Sequence, residues 1–238
     1  MATGPVATTM RERRLVERVI AKLPIFQRIS SRQLAGIARA SLTLNLRRGE
    51  TLERRGARLP GIYTVAVGLV KLVLGGAHRE ERVIRLIAPG ESFGEATALL
   101  ATAAPCDAVA LIDSRLIVIP AASVAHLMER DLRFARALAV TLAQRNLELV
   151  GEIESATMHS GTQRLAAYLG SLAGSQDWTA ACTVKLPVSK TVVAARLGVK
   201  KETLSRLLHE LAEQELISVA RRDISILDPE RLAQVAHA

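Results

Sequence analysis

Aromatic residues make up only 3% of this 238-residue chain: one Trp, two Tyr and three Phe. Proteins that grip single-stranded nucleic acid stack bases on aromatic rings, so the scarcity argues against that class of partner. Cysteine is scarcer still. Cys106 and Cys182 lie far apart and in no CxxC spacing, which excludes a disulfide scaffold and a structural zinc site and fits a reducing compartment. Of the five histidines, His78 alone falls in the strand-rich stretch, at a turn. A metal-dependent jelly-roll oxygenase needs several His and carboxylate ligands on neighbouring strands, and the pattern does not supply them. An enzyme is therefore disfavoured. Long apolar runs are also missing. The most apolar stretch, around Leu116 to Met128, is interrupted by Pro120 and His126 and is too short to span a bilayer, and the N-terminus has no secretory h-region. The expectation is a cytoplasmic protein with no membrane partner.

What the chain does have is positive charge. Lys and Arg number 32 against 23 Asp and Glu, a formal net charge of +9. A polyanion is the natural partner of such a balance, and with stacking residues short, double-stranded DNA is the better polyanion. Hydrophobic residues at 49% permit one large core or two ordinary ones.

The most informative stretch is Lys190 to Leu208, KTVVAARLGVKKETLSRLL. Val193 and Leu197 lie one helical turn apart, Ala194 is small enough for a second helix to approach, and Gly198 can take the left-handed backbone that ends a helix. Val199 plugs the corner. In the following helix Leu204 and Leu207 point inward, leaving Lys201, Glu202, Ser205, Arg206 and His209 outward. This is the layout of a helix-turn-helix. Arg can bond O6 and N7 of guanine together, Glu can accept from N4 of cytosine, and Ser suits several base edges, so the face matches a major groove. Ser189, Lys190, Lys200 and Thr203 complete the candidate DNA-binding set. The competing reading is a helical hairpin with a solvated charged face. Beyond it, ELISVA and ISIL flank Arg221-Arg222-Asp223 as a β-hairpin wing whose two arginines could reach phosphates. The turn has no glycine, so a loose connection is expected.

Upstream, RERRLVERVI spaces Leu15 and Val19 on one side of a helix, within an N-terminal extension over 1–22. Ser30 and Gln33 have the spacing of a capping box for a helix to about Ala40. From Ser41 the period becomes two, through IYTVAV, VKLVL, RVIRLIA, AVALI and RLIVI, which predicts a compact antiparallel barrel or jelly roll within 23–130. Gly94-Glu95 leads into a short helix at a place where a ligand could approach the backbone, or where a turn simply requires glycine. Asp131 is a good N-cap for a long helix over 131–158. Along it Ala139, Leu142, Asn146, Leu149, Ile153 and Ala156 alternate at spacings of three and four, the pattern of a homodimer seam. Leu138, Leu147 and Val150 are expected to pack on the barrel side. Residues 159–238 form the DNA-binding domain, with Leu165, Tyr168, Leu169 and Leu172 on the inward face of its first helix.

A barrel, a long helix and a winged helix-turn-helix in that order resemble the Crp/Fnr family of bacterial transcription regulators. PGESFGEA at Pro89 to Ala96, DSRLIVIP at Asp113 to Pro120, LPVSKTVVAARLGV at Leu186 to Val199 and KETLSRLLHELAEQELI at Lys201 to Ile217 carry the resemblance. It implies an α+β fold with a cyclic-nucleotide-binding-like domain, a homodimer on a palindromic TTGA-like site, and RNA polymerase as a further partner of an activator. It also implies an effector pocket near Gly94, Glu95, Pro105, Cys106, Leu149 and Val150. Cyclic-AMP receptors place an Arg-Ser pair where this chain has Ala104-Pro105-Cys106-Asp107, and a Thr-Ser pair where Leu149 and Val150 stand, so cyclic AMP is not the expected signal. The Fnr branch holds an iron-sulfur cluster on N-terminal cysteines, absent here. FGEA followed by APCDA is similar to the dissimilatory nitrate respiration regulators, which links the chain to haem and nitric oxide. Candidate axial ligands are His78, His126, His159, Met158 and Cys106, each equally readable as a turn, surface or core residue. A constitutive DNA-binding protein with a degenerate barrel is the alternative.

Overall fold

The computed structural model describes residues 10–75, 81–174 and 180–237. They form two compact units, the first running to Leu147 apart from residues 81–83, and the second carrying 81–83 and Glu148 onward, with one boundary inside a continuous helix.

The first unit opens with α1 (Met10–Lys22), a 3₁₀ turn at Pro24–Phe26 and α2 (Ser31–Ala40). Ser30 caps α2 by accepting from Gln33 N at 3.3 Å, while its own N–H donates to Gln33 Oε1 at 2.7 Å. The strands follow: β1 (Leu42–Leu46), β2 (Thr51–Glu53), β3 (Gly61–Val67), β4 (Val70–Leu74), β5 (Arg82–Ile87) and β6 (Ser92–Phe93). After α3 (Glu95–Leu100) come β7 (Asp107–Ala110) and β8 (Ser114–Pro120). They build two four-stranded sheets in the orders β1-β8-β3-β6 and β2-β7-β4-β5. In the first sheet β8 runs antiparallel to β1 and β3, and in the second β7 runs antiparallel to β2 and β4.

Strand β8 shows why its sequence reads as an unbroken apolar run rather than an alternation. Leu116 and Val118 join Tyr63, Val65 and Phe93 in the core between the sheets, whereas Ile117 and Ile119 face the helices on the other side. Burial on both faces asks for apolar residues at every position. The helical side is closed by α4 (Ala121–Arg130) and the first half of α5 (Leu132–Met158), with Val124, Leu127, Phe134 and Leu138 in the same cluster. Val16 and Ile20 of α1 are also buried there. The separate extension expected over 1–22 is thus corrected: α1 is part of this core, because its apolar side covers surface that the sheet would otherwise expose.

Asp131 separates α4 from α5. Its Oδ1 accepts from the backbone N–H groups of Arg133 and Phe134 at 2.9 and 3.2 Å, and its Oδ2 accepts from Gln33 Nε2 at 3.0 Å. The Gln33 bond and then the backbone donors hold this carboxyl below the usual aspartate range. Along α5 the exposed apolar surface is wider than the expected seam. Leu142 packs against the first unit's core, while Val140 and Leu147 are 48% and 72% exposed. The expectation that Leu147 and Val150 pack inward is therefore corrected, since Val150 is 55% exposed too.

The second unit contains the end of α5, then α6 (Gly161–Ala173), β9 (Cys182–Lys185), α7 (Lys190–Leu197), α8 (Lys201–Glu213), β10 (Ile217–Ala220), β11 (Asp223–Ile226) and α9 (Pro229–His237). Its three strands pair antiparallel in the order β10-β11-β9. Leu165 and Leu169 of α6 and Leu232 of α9 are buried with the helix-turn-helix leucines. Among the described residues no helix is long and apolar enough to cross a membrane.

Candidate nucleic-acid interface and effector domain

Helices α7 and α8 meet at Gly198, whose φ of +65° and N–H bond to Ala194 O end α7. Val193, Ala194 and Leu197 on one side and Leu204, Leu207, Leu208 and Leu211 on the other are buried. Their burial leaves Lys200, Lys201, Glu202, Ser205, Arg206 and His209 exposed on one helix, and Thr203 half-buried. Glu202 and Arg206 stand one turn apart on that surface. The Arg206 guanidinium lies 3.6 Å from Glu210, and His209 Nε2 lies 3.3 Å from Glu213. Such exposed pairs are weak, about 0.3–0.5 kcal/mol, so they hold the side chains ready without locking them away from a base. Ser205 Oγ donates to Lys201 O at 3.1 Å. Ser189 caps α7 by accepting from Val192 N at 3.4 Å, and Lys190 is half-buried at the same terminus.

The wing departs from expectation. Ala220 pairs directly with Asp223, so the turn is the two residues Arg221 and Arg222. Arg221 takes φ +57° in place of the glycine such a turn favours. The strain is offset by Arg222, whose Nε and Nη2 donate to Leu186 O at 3.1 and 2.7 Å, while Leu186 N donates back to Arg222 O at 2.8 Å. Arg222, itself exposed, thus also clamps the wing to Leu186 just beyond β9. Arg221 remains exposed at the tip. β9 itself was invisible to pattern reading, since CTVK is too short to show a period.

Behind the reading face, Arg164 Nε donates to Leu197 O at 3.0 Å and its Nη1 to His159 O at 2.5 Å. Arg196 lies 3.4 Å from Glu152 of α5. These ties join α5, α6 and α7 within the second unit, and no local spacing in the sequence announces them.

In the first unit, Gly94 caps α3 with φ +88°, and a Cβ there would stand 3.0 Å from Leu59 Cδ1 and 3.3 Å from Gly61 O. Backbone conformation and close packing on β3 account for the glycine. Glu95 accepts from Ser92 Oγ. Pro105 is exposed, and Cys106 is half-buried, its thiol pKa pushed up by burial and then by Asp107. Tyr63, stacked on Phe93 at 5.2 Å between centroids, donates to Glu53 Oε1 at 2.6 Å. Burial, then the hydrogen bond to Glu53, raises the phenol well above its ordinary pKa. Leu149 and Val150 belong to the second unit, 37% and 55% exposed. Of the seam residues, Ala139, Asn146, Leu149, Ile153 and Ala156 are exposed.

The candidate haem ligands are divided among separate elements where they are described. His78 and the side chain of Met158 lie outside the described residues. Cys106 precedes β7, His126 is exposed on α4, and His159 sits between α5 and α6 with its Nδ1 buried and unbonded. A thiol with raised pKa is also a poor thiolate donor. Among the described residues no cluster of three His, Cys, Asp or Glu could hold a metal. Among the described residues the side chains present no haem-ligand set.

Comparison with known proteins agrees with this architecture. The cyclic nucleotide-binding domain model matches residues 43–131, and the Crp-like helix-turn-helix domain model matches residues 163–235. The chain is 27% identical over 188 residues to a cyclic AMP receptor protein of Thermus thermophilus, covering 79% of this chain and 85% of that one. A solved CRP/FNR-family transcriptional regulator, also from Thermus thermophilus, is 26% identical, with a TM-score of 0.64 over 82% of this chain and 98% of that one. FixK2 from Bradyrhizobium japonicum, 21% identical, shares the fold with a TM-score of 0.72, covering 83% of this chain and 98% of that one. A β-rich effector domain, a long helix and a winged reading head backed by buried leucines, matched by both domain models, make this chain a member of the CRP/FNR family of DNA-binding transcriptional regulators.

Proposed function

We propose that the protein acts in the cytoplasm as a homodimer that reads a palindromic TTGA-like site and contacts RNA polymerase as an activator. The observation that carries the DNA reading is the exposed Glu202 and Arg206 pair one turn apart on a helix anchored by four buried leucines. Two side chains so placed can address both bases of one G·C pair. Half-sites about 10–10.5 base pairs apart, centre to centre, match a two-fold dimer. Lys201 and Arg221 supply phosphate contacts that position without specifying.

Cyclic AMP, the ligand in the name of the Thermus thermophilus relative, is disfavoured as the signal. A buried cyclic phosphate needs charge-assisted donors, and Ala104, Pro105 and Cys106 offer none. The resemblance to nitrate respiration regulators keeps nitric oxide as the signal class, but the scattered ligand candidates give haem no support. Fluorescence anisotropy on a palindromic TTGA duplex and a scrambled duplex tests the DNA reading. Arg206→Ala should cost about 1–3 kcal/mol on the palindrome and little on the scrambled duplex, whereas Lys201→Ala should weaken both alike. Equal losses from Arg206→Ala on both duplexes would refute the assignment. Calorimetry giving micromolar cyclic-AMP affinity would overturn the negative claim.

A further inference from the structure

A groove of about 820 Å³ runs between α2 and α4 on the first unit, lined by no residue assigned to DNA or to the effector pocket and, of the candidate haem ligands, by His126 alone. Its floor is apolar: Ile37 and Leu127 are buried side chains of the core, and Gly36 lies beside them. Its rim is basic, with Arg32, His126 and Arg130 all exposed, and no carboxylate lines it. One end is fixed by the Gln33 to Asp131 hydrogen bond, which links the start of α2 to the end of α4.

Gly36 is the telling residue. It sits in the interior of α2, where glycine is the least suitable residue after proline. A Cβ built there meets nothing within 4 Å, so neither packing nor backbone conformation within this chain calls for glycine. A bare backbone at the floor of a groove is what the close approach of a second helix requires, as small residues do at tight helix-helix crossings.

We infer that this groove docks an acidic amphipathic helix of a partner protein, laying its small and apolar face over Gly36, Ile37 and Leu127 and its carboxylates against Arg32 and Arg130. A helix about 10 Å across, sunk to half its depth, fills the groove's volume over about 14 residues. Bare duplex DNA would use the arginines but has no use for the apolar floor, so the two features together select a protein helix.

The test uses the full-length protein and a fluorescein-labelled 14-residue helical peptide with alanine and leucine on one face and glutamates flanking it. A control peptide carries lysines in place of the glutamates, and a random-sequence duplex serves as a competitor. The glutamate peptide should bind and the lysine peptide should not. Gly36→Leu fills the groove with a better helix former, so it should raise the melting temperature while weakening the peptide by about tenfold or more. Arg32→Glu with Arg130→Glu should also abolish peptide binding while leaving affinity for the palindromic duplex unchanged, which separates this site from the DNA reading. No binding of the glutamate peptide by the wild-type protein at millimolar concentration would overturn the proposal. So would peptide affinity indifferent to both variants, or displacement of the peptide by random duplex with the same dependence on Arg32 and Arg130.

Discussion

Replacing Leu147 and Val150 by Asp on the outward stripe of α5 should convert a dimer to monomers. Val140, Leu147, Val150 and Ile153 are 48%, 72%, 55% and 64% exposed in the single chain. With full burial of an aliphatic side chain worth about 2 kcal/mol, the four leave about 5 kcal/mol unclaimed per protomer and about 10 per pair. Association costs roughly 4–15 kcal/mol in lost freedom, so this stripe is close to the whole driving force of the helix contact. Leu147 and Val150 carry about half of it. Losing them from both protomers removes about 5 kcal/mol, a shift of more than a thousandfold in dissociation constant, before any cost of burying the new carboxylates. Sedimentation velocity at micromolar concentration reads the oligomeric state, circular dichroism checks that the helices persist, and anisotropy on the palindrome reads the lost second half-site. Leu149→Asp alone changes a residue only 37% exposed and should do less than the double variant. A dimer that survives Leu147→Asp with Val150→Asp but falls apart with Leu149→Asp would refute the placement of the stripe.

Arg221→Gly should stabilise the second unit, because a non-glycine residue in the left-handed region at φ +57° carries roughly 1 kcal/mol of strain. Urea titration reads the gain, and a loss would mean that the Arg221 side chain contributes more to the fold than its backbone costs. Asp131 has a lowered folded pKa, so its contribution to stability is fully present above the ordinary aspartate value and is lost as pH falls through the folded value. Melting temperatures measured from pH 6 down to about pH 2 should therefore fall less steeply for Asp131→Asn than for the parent chain. Parallel acid limbs would assign the drop to other carboxylates.

The helix-turn-helix was legible in the sequence because each of its requirements is local: a small residue, a left-handed glycine and leucines one turn apart. The sheets were legible as a two-residue period, though β2, β6 and β9 are too short to display one. The sides taken by Leu147 and Val150 on α5 were misjudged because Leu142, Leu147, Leu149 and Val150 are equally apolar, and only packing on the first unit distinguishes the covered side from the open one. The tight wing turn was misjudged for a related reason. A glycine rule expresses the intrinsic preference of a turn, and here long-range bonds from Arg222 to Leu186 override it. Arg164 and the Glu152 to Arg196 pair were unreadable, since each joins positions remote in the chain.

The Arg222 clamp also bears on how DNA would be released. Leu186 lies three residues before Ser189, which caps α7, so the wing tip and the start of the helix-turn-helix are tethered to the same short segment. A wing on a loose strap could peel away first and let the complex dissociate in stages. A wing clamped at its tip brings its contacts to the duplex in register with those of α8, with the ordering cost already met in folding. Residence time on DNA should accordingly depend on a bond that touches no nucleotide. Arg222→Ala would shorten residence chiefly through faster dissociation, with the encounter rate changed far less.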